Sequence, residues 1–262
     1  PYQDLGWVQI SANSGNTTLA QGSRISLTKL TIDSAQTFDH IDRLYIRGTG
    51  TGSSRPFIVN GNYTENTSRI YYSPSSSGTT EVENTTYGAV RLHCDTGTCN
   101  IRLGTASSQT LEMTFLEMGG SGGTLNIDAS TYNPNILLHR NWDIYDATTY
   151  TKGTGTTTFV NLAGTGMLDF SSVQQDRGNV QVSIDGASNT TLNIGDDVRI
   201  SKLIVDANQI VDFDTTETIT LIGSGTGVNR PLNMASGASL TGTGTVVFTG
   251  TAATEIQSTT YH

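Results

Sequence analysis

Gly48-Thr49-Gly50-Thr51-Gly52-Ser53-Ser54-Arg55-Pro56 returns later in the chain as Gly223-Ser224-Gly225-Thr226-Gly227-Val228-Asn229-Arg230-Pro231. The recurrence spreads outward from this glycine-rich stretch. Asn16-Thr17-Thr18-Leu19 returns as Asn189-Thr190-Thr191-Leu192, and Lys29-Leu30-Thr31-Ile32-Asp33 as Lys202-Leu203-Ile204-Val205-Asp206. Glu81-Val82-Glu83-Asn84-Thr85-Thr86-Tyr87 returns as Glu255-Ile256-Gln257-Ser258-Thr259-Thr260-Tyr261. Residues 8–87 and 180–261 are therefore two copies of one unit. A repeat of short strands and glycine turns is the signature of a stacked, quasi-one-dimensional fold.

Apolar residues alternate in short bursts, among them Ile25-Leu27, Leu30-Ile32, Leu44-Ile46, Ile70-Tyr72, Val90-Leu92, Ile101-Leu103, Leu125-Ile127 and Ile136-Leu138. Period two over a few residues marks a half-buried strand. Gly, Ser, Asn and Asp fill the gaps. Two all-β readings compete, a sandwich of hairpins and a solenoid of parallel rungs. The tight hairpin pairs occur only at Asn60-Gly61 and Asp185-Gly186, so the hairpin signal is weak. The expectation is a single right-handed parallel β-helix over residues 1–262, with divergent rungs at 88–179; a β-sandwich is the alternative.

Composition agrees. Only 14% of residues are charged, against about 25% in ordinary globular domains. Glycine, Thr, Ser and Asn take up the difference. Threonine suits a pleated surface, and Gly and Asn suit tight corners. Net charge is -9, so no basic face offers itself to nucleic acid. The apolar runs are too short for a membrane span. A chain that opens on Pro1 reads as processed or excised, so a missing signal peptide carries no message.

The cysteines lie at Cys94-Asp95-Thr96-Gly97-Thr98-Cys99. Two cysteines, even with His93 beside them, fall short of the four ligands of a structural zinc site. The spacing and the Gly97 turn favour a local disulfide and an oxidising compartment. No metal, cofactor or catalytic set is expected. The histidines His40, His93, His139 and His262 are scattered, and no Ser or Cys nucleophile has a recognisable His partner. Nothing here argues for an enzyme.

Gly242-Thr243-Gly244-Thr245-Val246-Val247-Phe248-Thr249-Gly250-Thr251, followed by Ile256 and Thr260-Tyr261, resembles the rung pattern of large repetitive β-solenoid surface proteins of bacteria and archaea. The resemblance covers both repeat copies, about 160 residues. It implies a parallel β-helix, secreted and often glycosylated, that serves as an adhesin, filament or sheath. The segment 88–179 departs from the pattern, although Gly153-Thr154-Gly155-Thr156-Thr157-Thr158-Phe159 resembles Gly242–Phe248.

Several residues are candidates for more than packing. Sequons at Asn16, Asn62, Asn66, Asn84 and Asn189 are glycan acceptors or corner residues. The acidic pairs Asp39 and Asp42, Asp143 and Asp146, Asp196 and Asp197, and Asp212 and Asp214 could serve a polysaccharide-cleaving β-helix. Their plainer reading is solvated turn carboxylates. Arg55 and Arg230 recur before a proline, which favours corner residues over anion contacts.

In the first copy Tyr87 runs at once into Gly88-Ala89-Val90-Arg91-Leu92, read as the next strand; in the second, Tyr261 is followed by His262 alone. The expected edge strand at 254–261, with Ile256 and Tyr261, should then pair with a strand carrying Val8 and Ile10, from another copy of the chain. The expected function is an extracellular or cell-surface structural protein that associates with itself. The alternative is a carbohydrate-active or carbohydrate-binding β-helix with a polysaccharide partner, marked by three or more carboxylates with Arg or Lys in one groove.

Overall fold

A computed structural model of the protein describes residues 4–12, 15–65, 69–120, 122–145, 148–160, 166–170, 175–184 and 189–257. The fold is a parallel β-solenoid of about nine turns. Among the described residues every strand pairing is parallel. The chain divides into two compact units, residues 1–134 with 147–151, and residues 135–146 with 152–262.

In the first unit each early turn contributes three short strands. Trp7–Ile10, Lys29–Ile32 and Phe57–Val59 stack in one column. Thr18–Gln21, Thr37–His40 and Asn62–Glu65 stack in the next. Ile25–Leu27, Arg43–Ile46 and Arg69–Tyr72 form the third. That column continues into the longer strands Thr86–Cys94 and Thr110–Gly120. A further column holds Thr79–Val82, Gly97–Leu103, Gly123–Asp128 and Thr148–Thr151. Alternate residues point inward, so Leu30, Ile32, Leu44, Ile46, Ile70 and Tyr72 are all fully buried. Each such side chain contributes about 1.5–3 kcal/mol by leaving water.

The second unit repeats the plan. Its columns run Asn135–Leu138, Thr156–Phe159, Asn179–Val182, Lys202–Val205, Leu232–Met234, then Trp142–Ile144, Gly166–Phe170, Thr191–Ile194, Ile210–Phe213, Ser239–Gly242. The third holds Val198–Ile200, Thr218–Leu221 and Thr245–Phe248.

Several turn-closing bonds recur in both copies. Asp4 Oδ1 accepts from Gly6 N at 2.9 Å, and Asp176 Oδ1 from Gly178 N at 2.9 Å. Gln36 Oε1 accepts from Thr17 N at 2.8 Å, and Gln209 Oε1 from Thr190 N at 2.6 Å. Gln9 donates to Asp33 as Gln181 does to Asp206, and Lys29 reaches Ser53 O as Lys202 reaches Val228 O. The repeat thus starts upstream of residue 8, at Asp4 and Asp176. Both are Asp-x-Gly triplets whose carboxylate closes the turn.

Two local expectations need correction. Tyr87 and Leu92 lie in one unbroken strand, Thr86–Cys94, rather than in two. At Gly88 a Cβ would lie 3.1 Å from the Glu65 carboxylate, which accepts from the N–H groups of Gly88 and Ala89 at 2.8 and 3.0 Å. Residues 254–257 are not a strand either. Thr254 makes one bridge to Gly225, and then side chains take over the pairing. Tyr261 lies outside the described residues.

Candidate interaction surfaces and buried polar groups

The glycine-rich loops fold into matching 3-10 turns, Gly52–Ser54 and Gly227–Asn229. Gly52 N donates to Glu81 Oε2 at 2.6 Å, and Gly227 N to Glu255 Oε2 at 2.8 Å. The arginines are corner residues. Arg55 NH1 donates to Gly52 O at 2.8 Å while its Nε meets Glu83 Oε2 at 2.5 Å. Arg230 NH1 reaches Glu255 Oε1 at 2.9 Å instead. The reason lies one turn on: Glu83 of the first copy is Gln257 in the second. The Gln257 amide turns to Met234, accepting from its N–H and donating to its C=O, both at 2.7 Å. A side chain thereby occupies a backbone edge that another strand would otherwise take.

Behind Glu83 lies a buried tyrosine pair. The Tyr72 and Tyr87 hydroxyls are 2.8 Å apart, and Tyr87 donates to Glu83 O at 2.7 Å. Burial raises both phenols above their ordinary range. Nearby, the Tyr63 hydroxyl sits 2.8 Å from His40 Nδ1 and 3.3 Å from Glu65 Oε2. Burial pushes the Glu65 carboxyl up to about 7, despite the Gly88 and Ala89 N–H groups that favour its anion. Burial likewise lowers His40 to about 4, against the pull of Asp42 and Asp39.

These two groups bend stability in opposite senses. The folded chain keeps the Glu65 proton that the unfolded chain releases, so its contribution is full at low pH and is lost as pH rises through about 7. The unfolded chain protonates at His40 first, so that contribution is lost as pH falls from about 6.5 towards about 4. Glu65→Gln should leave a melting temperature that climbs from about pH 4 to about pH 6.5. His40→Gln should leave one that declines over about pH 4.5 to about pH 7. Parallel melting-temperature profiles for both variants and the parent would count against this assignment.

Cys94 and Cys99 are bonded to each other, with Cα atoms 5.7 Å apart. The loop packs on the glycine run of the following turn, where a Cβ at Gly123 would lie 2.6 Å from Cys94 Sγ. Alkylation without reductant should therefore leave the mass unchanged; two alkylated thiols would contradict the bond. Reduction should cost little stability, because a ring this small restricts the unfolded chain only slightly.

Of the sequons, Asn16, Asn62, Asn84 and Asn189 are exposed, and Asn66 lies outside the described residues. The acidic pairs are dispersed. Asp42 faces Arg24 at 3.9 Å, Asp197 accepts from Thr218 N, Asp212 accepts from Thr241, and Asp146 lies outside the described residues. One ionic group is not indicated by the acidic pairs: Arg102 joins Glu81 and Asp128, with Tyr132 donating to Glu81 at 2.8 Å. Glu81 is fully buried there, which leaves Asp128 as the carboxylate facing solvent beside Arg102. Among the described residues no group of three or more His, Cys, Asp or Glu could hold a metal ion, and no helix is long and apolar enough to cross a membrane.

A second cluster forms between adjacent rungs. Tyr45 and Tyr71 stack at 4.5 Å on adjacent rungs, flanked by Arg43, Arg47 and Arg91 within 5.2 to 6.0 Å of a ring. Arg69 and Arg91 share Glu117. Tyr71 is only 6% exposed in this cluster, and only the register of the rungs brings these residues together.

The apolar rung faces are the remaining feature. Val8, Leu19, Ile25 and Phe38 line a hollow on the first rung. Phe213, Leu240, Val246, Phe248 and Ile256 line another on the last described rung of the second unit. Comparison with family models, with curated proteins and with solved structures finds no match.

Proposed function

We propose that the chain is a non-enzymatic structural subunit of an extracellular or cell-surface assembly, of the adhesin, filament or sheath kind, joined through its solenoid rungs. One comparison inside the molecule carries this reading. Leu19 is 44% exposed, while its counterpart Leu192 is sealed at 0% by the preceding rung. Ile256 is 58% exposed, while its counterpart Val82 is at 0% beneath the following rung. Among the described residues the same surfaces are covered in one copy and open in the other, and open apolar rungs favour strand addition. The disulfide suits an oxidising compartment, and the exposed sequons suit glycan attachment, which a mass above 27.9 kDa removable by an endoglycosidase would register. Electron microscopy of the purified chain should show linear or clustered particles that Ile256→Arg disperses. Uniform single particles of the parent would overturn the proposal.

A second reading, binding of an acidic polysaccharide, is favoured by the Tyr45–Tyr71 stack with its arginines. Arg43→Glu with Arg91→Glu should abolish retention on an acidic polysaccharide resin at low salt. Equal retention would exclude this face.

A further inference from the structure

We infer that Trp7, Lys29 and Arg47 form a subsite for a carboxylated sugar residue, a uronate, on the flank of the first unit. This rests on the acidic-polysaccharide reading above for its ligand class, and adds a separate subsite that meets the tyrosine cluster at Arg47. Trp7 stands on the outward side of its strand, opposite Lys29, while Val8 and Ile10 lie opposite the buried Leu30 and Ile32. The site therefore runs along the side of the rungs and not across an open rung face. The Lys29 ammonium lies 5.8 Å from the centre of the Trp7 ring, a cation–π distance, and the ring is still 79% exposed. Beside it lies a groove of about 360 Å³, with Arg47, Ser54, Ser75 and Ser76 in its walls. Arg47 is held in place by Asp95 Oδ2 at 2.6 Å and Ser73 Oγ at 2.8 Å. Among the described residues all its side-chain hydrogen bonds run through Nη1. Nε and Nη2 are thereby left to grip a carboxylate in the two-pronged manner of arginine.

The internal repeat separates what the fold needs from what it does not. Gly48 and Gly223 pack alike, since a Cβ would lie 2.1 Å from Thr28 O in one copy and 2.2 Å from Ser201 O in the other. Pro56 O and Pro231 O each accept a strand N–H at 2.8 Å, from Leu30 and Leu203. Lys29 and Lys202 each donate to a carbonyl of the neighbouring 3-10 turn. Yet the position of Trp7 is Asn179 in the second copy, and that of Arg47 is Ile222. The corner closes without the indole and without the guanidinium. A large exposed ring that the fold does not require is the informative kind of surface residue. Set beside a groove with hydroxyls and two cations, it offers a sugar a stacking face together with a few polar groups to orient it.

Tryptophan fluorescence tests this, because the chain has two tryptophans and Trp142 is fully buried. Acrylamide quenching therefore reports on Trp7. Oligogalacturonate at low salt should protect Trp7 from the quencher, and a neutral dextran oligosaccharide should not. Arg47→Ile should raise the half-saturating oligogalacturonate concentration about tenfold, as loss of a charge-assisted contact does. Trp7→Asn should weaken retention on an acidic polysaccharide resin. Both variants carry the residues of the second copy, whose corner folds with them. Equal protection by dextran would overturn the carboxylated ligand. Retention that Trp7→Asn leaves intact, with no protection of Trp7, would overturn the subsite and leave the tyrosine-cluster reading standing. A parent chain neither protected nor retained would overturn both.

Discussion

Glu83→Ala is expected to destabilise the first unit by about 3–5 kcal/mol, the usual result of stripping one partner from a buried ion pair. Glu83 is 5% exposed and Arg55 19%, so water cannot replace the lost carboxylate. The same residue anchors the Tyr72–Tyr87 pair through its backbone. Glu83→Gln should cost less, about 1–2 kcal/mol, since the amide still accepts a hydrogen bond. The second copy already lives with glutamine there, its Arg230 served by Glu255. Chemical denaturation reads both values. Equal losses for Ala and Gln would mean that charge at this corner is irrelevant.

Gly50→Ala and Gly225→Ala should each cost about 3 kcal/mol, at the upper end for a forced backbone conformation. The φ angles are +150° and +144°, which side chains other than hydrogen rarely adopt. A Cβ would lie 2.0 Å from Ser54 O in one loop and 2.5 Å from Asn229 O in the other. Both loops must open to admit it. Each opening breaks the tie from Gly52 or Gly227 to its glutamate, so the two variants should lose stability alike. A large loss at one site with none at the other would contradict the equivalence of the two copies.

Much of this fold is legible in the sequence. The spacing of Leu44-Ile46, Ile70-Tyr72 and Ile101-Leu103 announces strands, and the recurrence of Gly-x-Gly-x-Gly with Arg-Pro announces the repeat. The Asp-x-Gly triplets at 4–6 and 176–178 extend that repeat upstream of the first apolar burst and are legible as turn-closing carboxylates. Other features cannot be read along the chain. Glu65 and Gly88 meet because a strand on one rung ends where the next rung passes, a matter of register between segments distant in sequence. The same holds for Tyr45 with Tyr71. The expected strand at 254–261 failed at 255–257 because Glu255 and Gln257 carry side chains able to satisfy Gly227 and Met234. Alternation alone does not distinguish a strand from a segment whose side chains do the pairing.

Sedimentation velocity of the purified chain across a wide concentration range tests the central claim most directly. The account predicts a weighted mass that climbs above 27.9 kDa with concentration, and returns to that value in Val8→Arg or Phe248→Arg. A parent protein that sediments at 27.9 kDa at every concentration would contradict it.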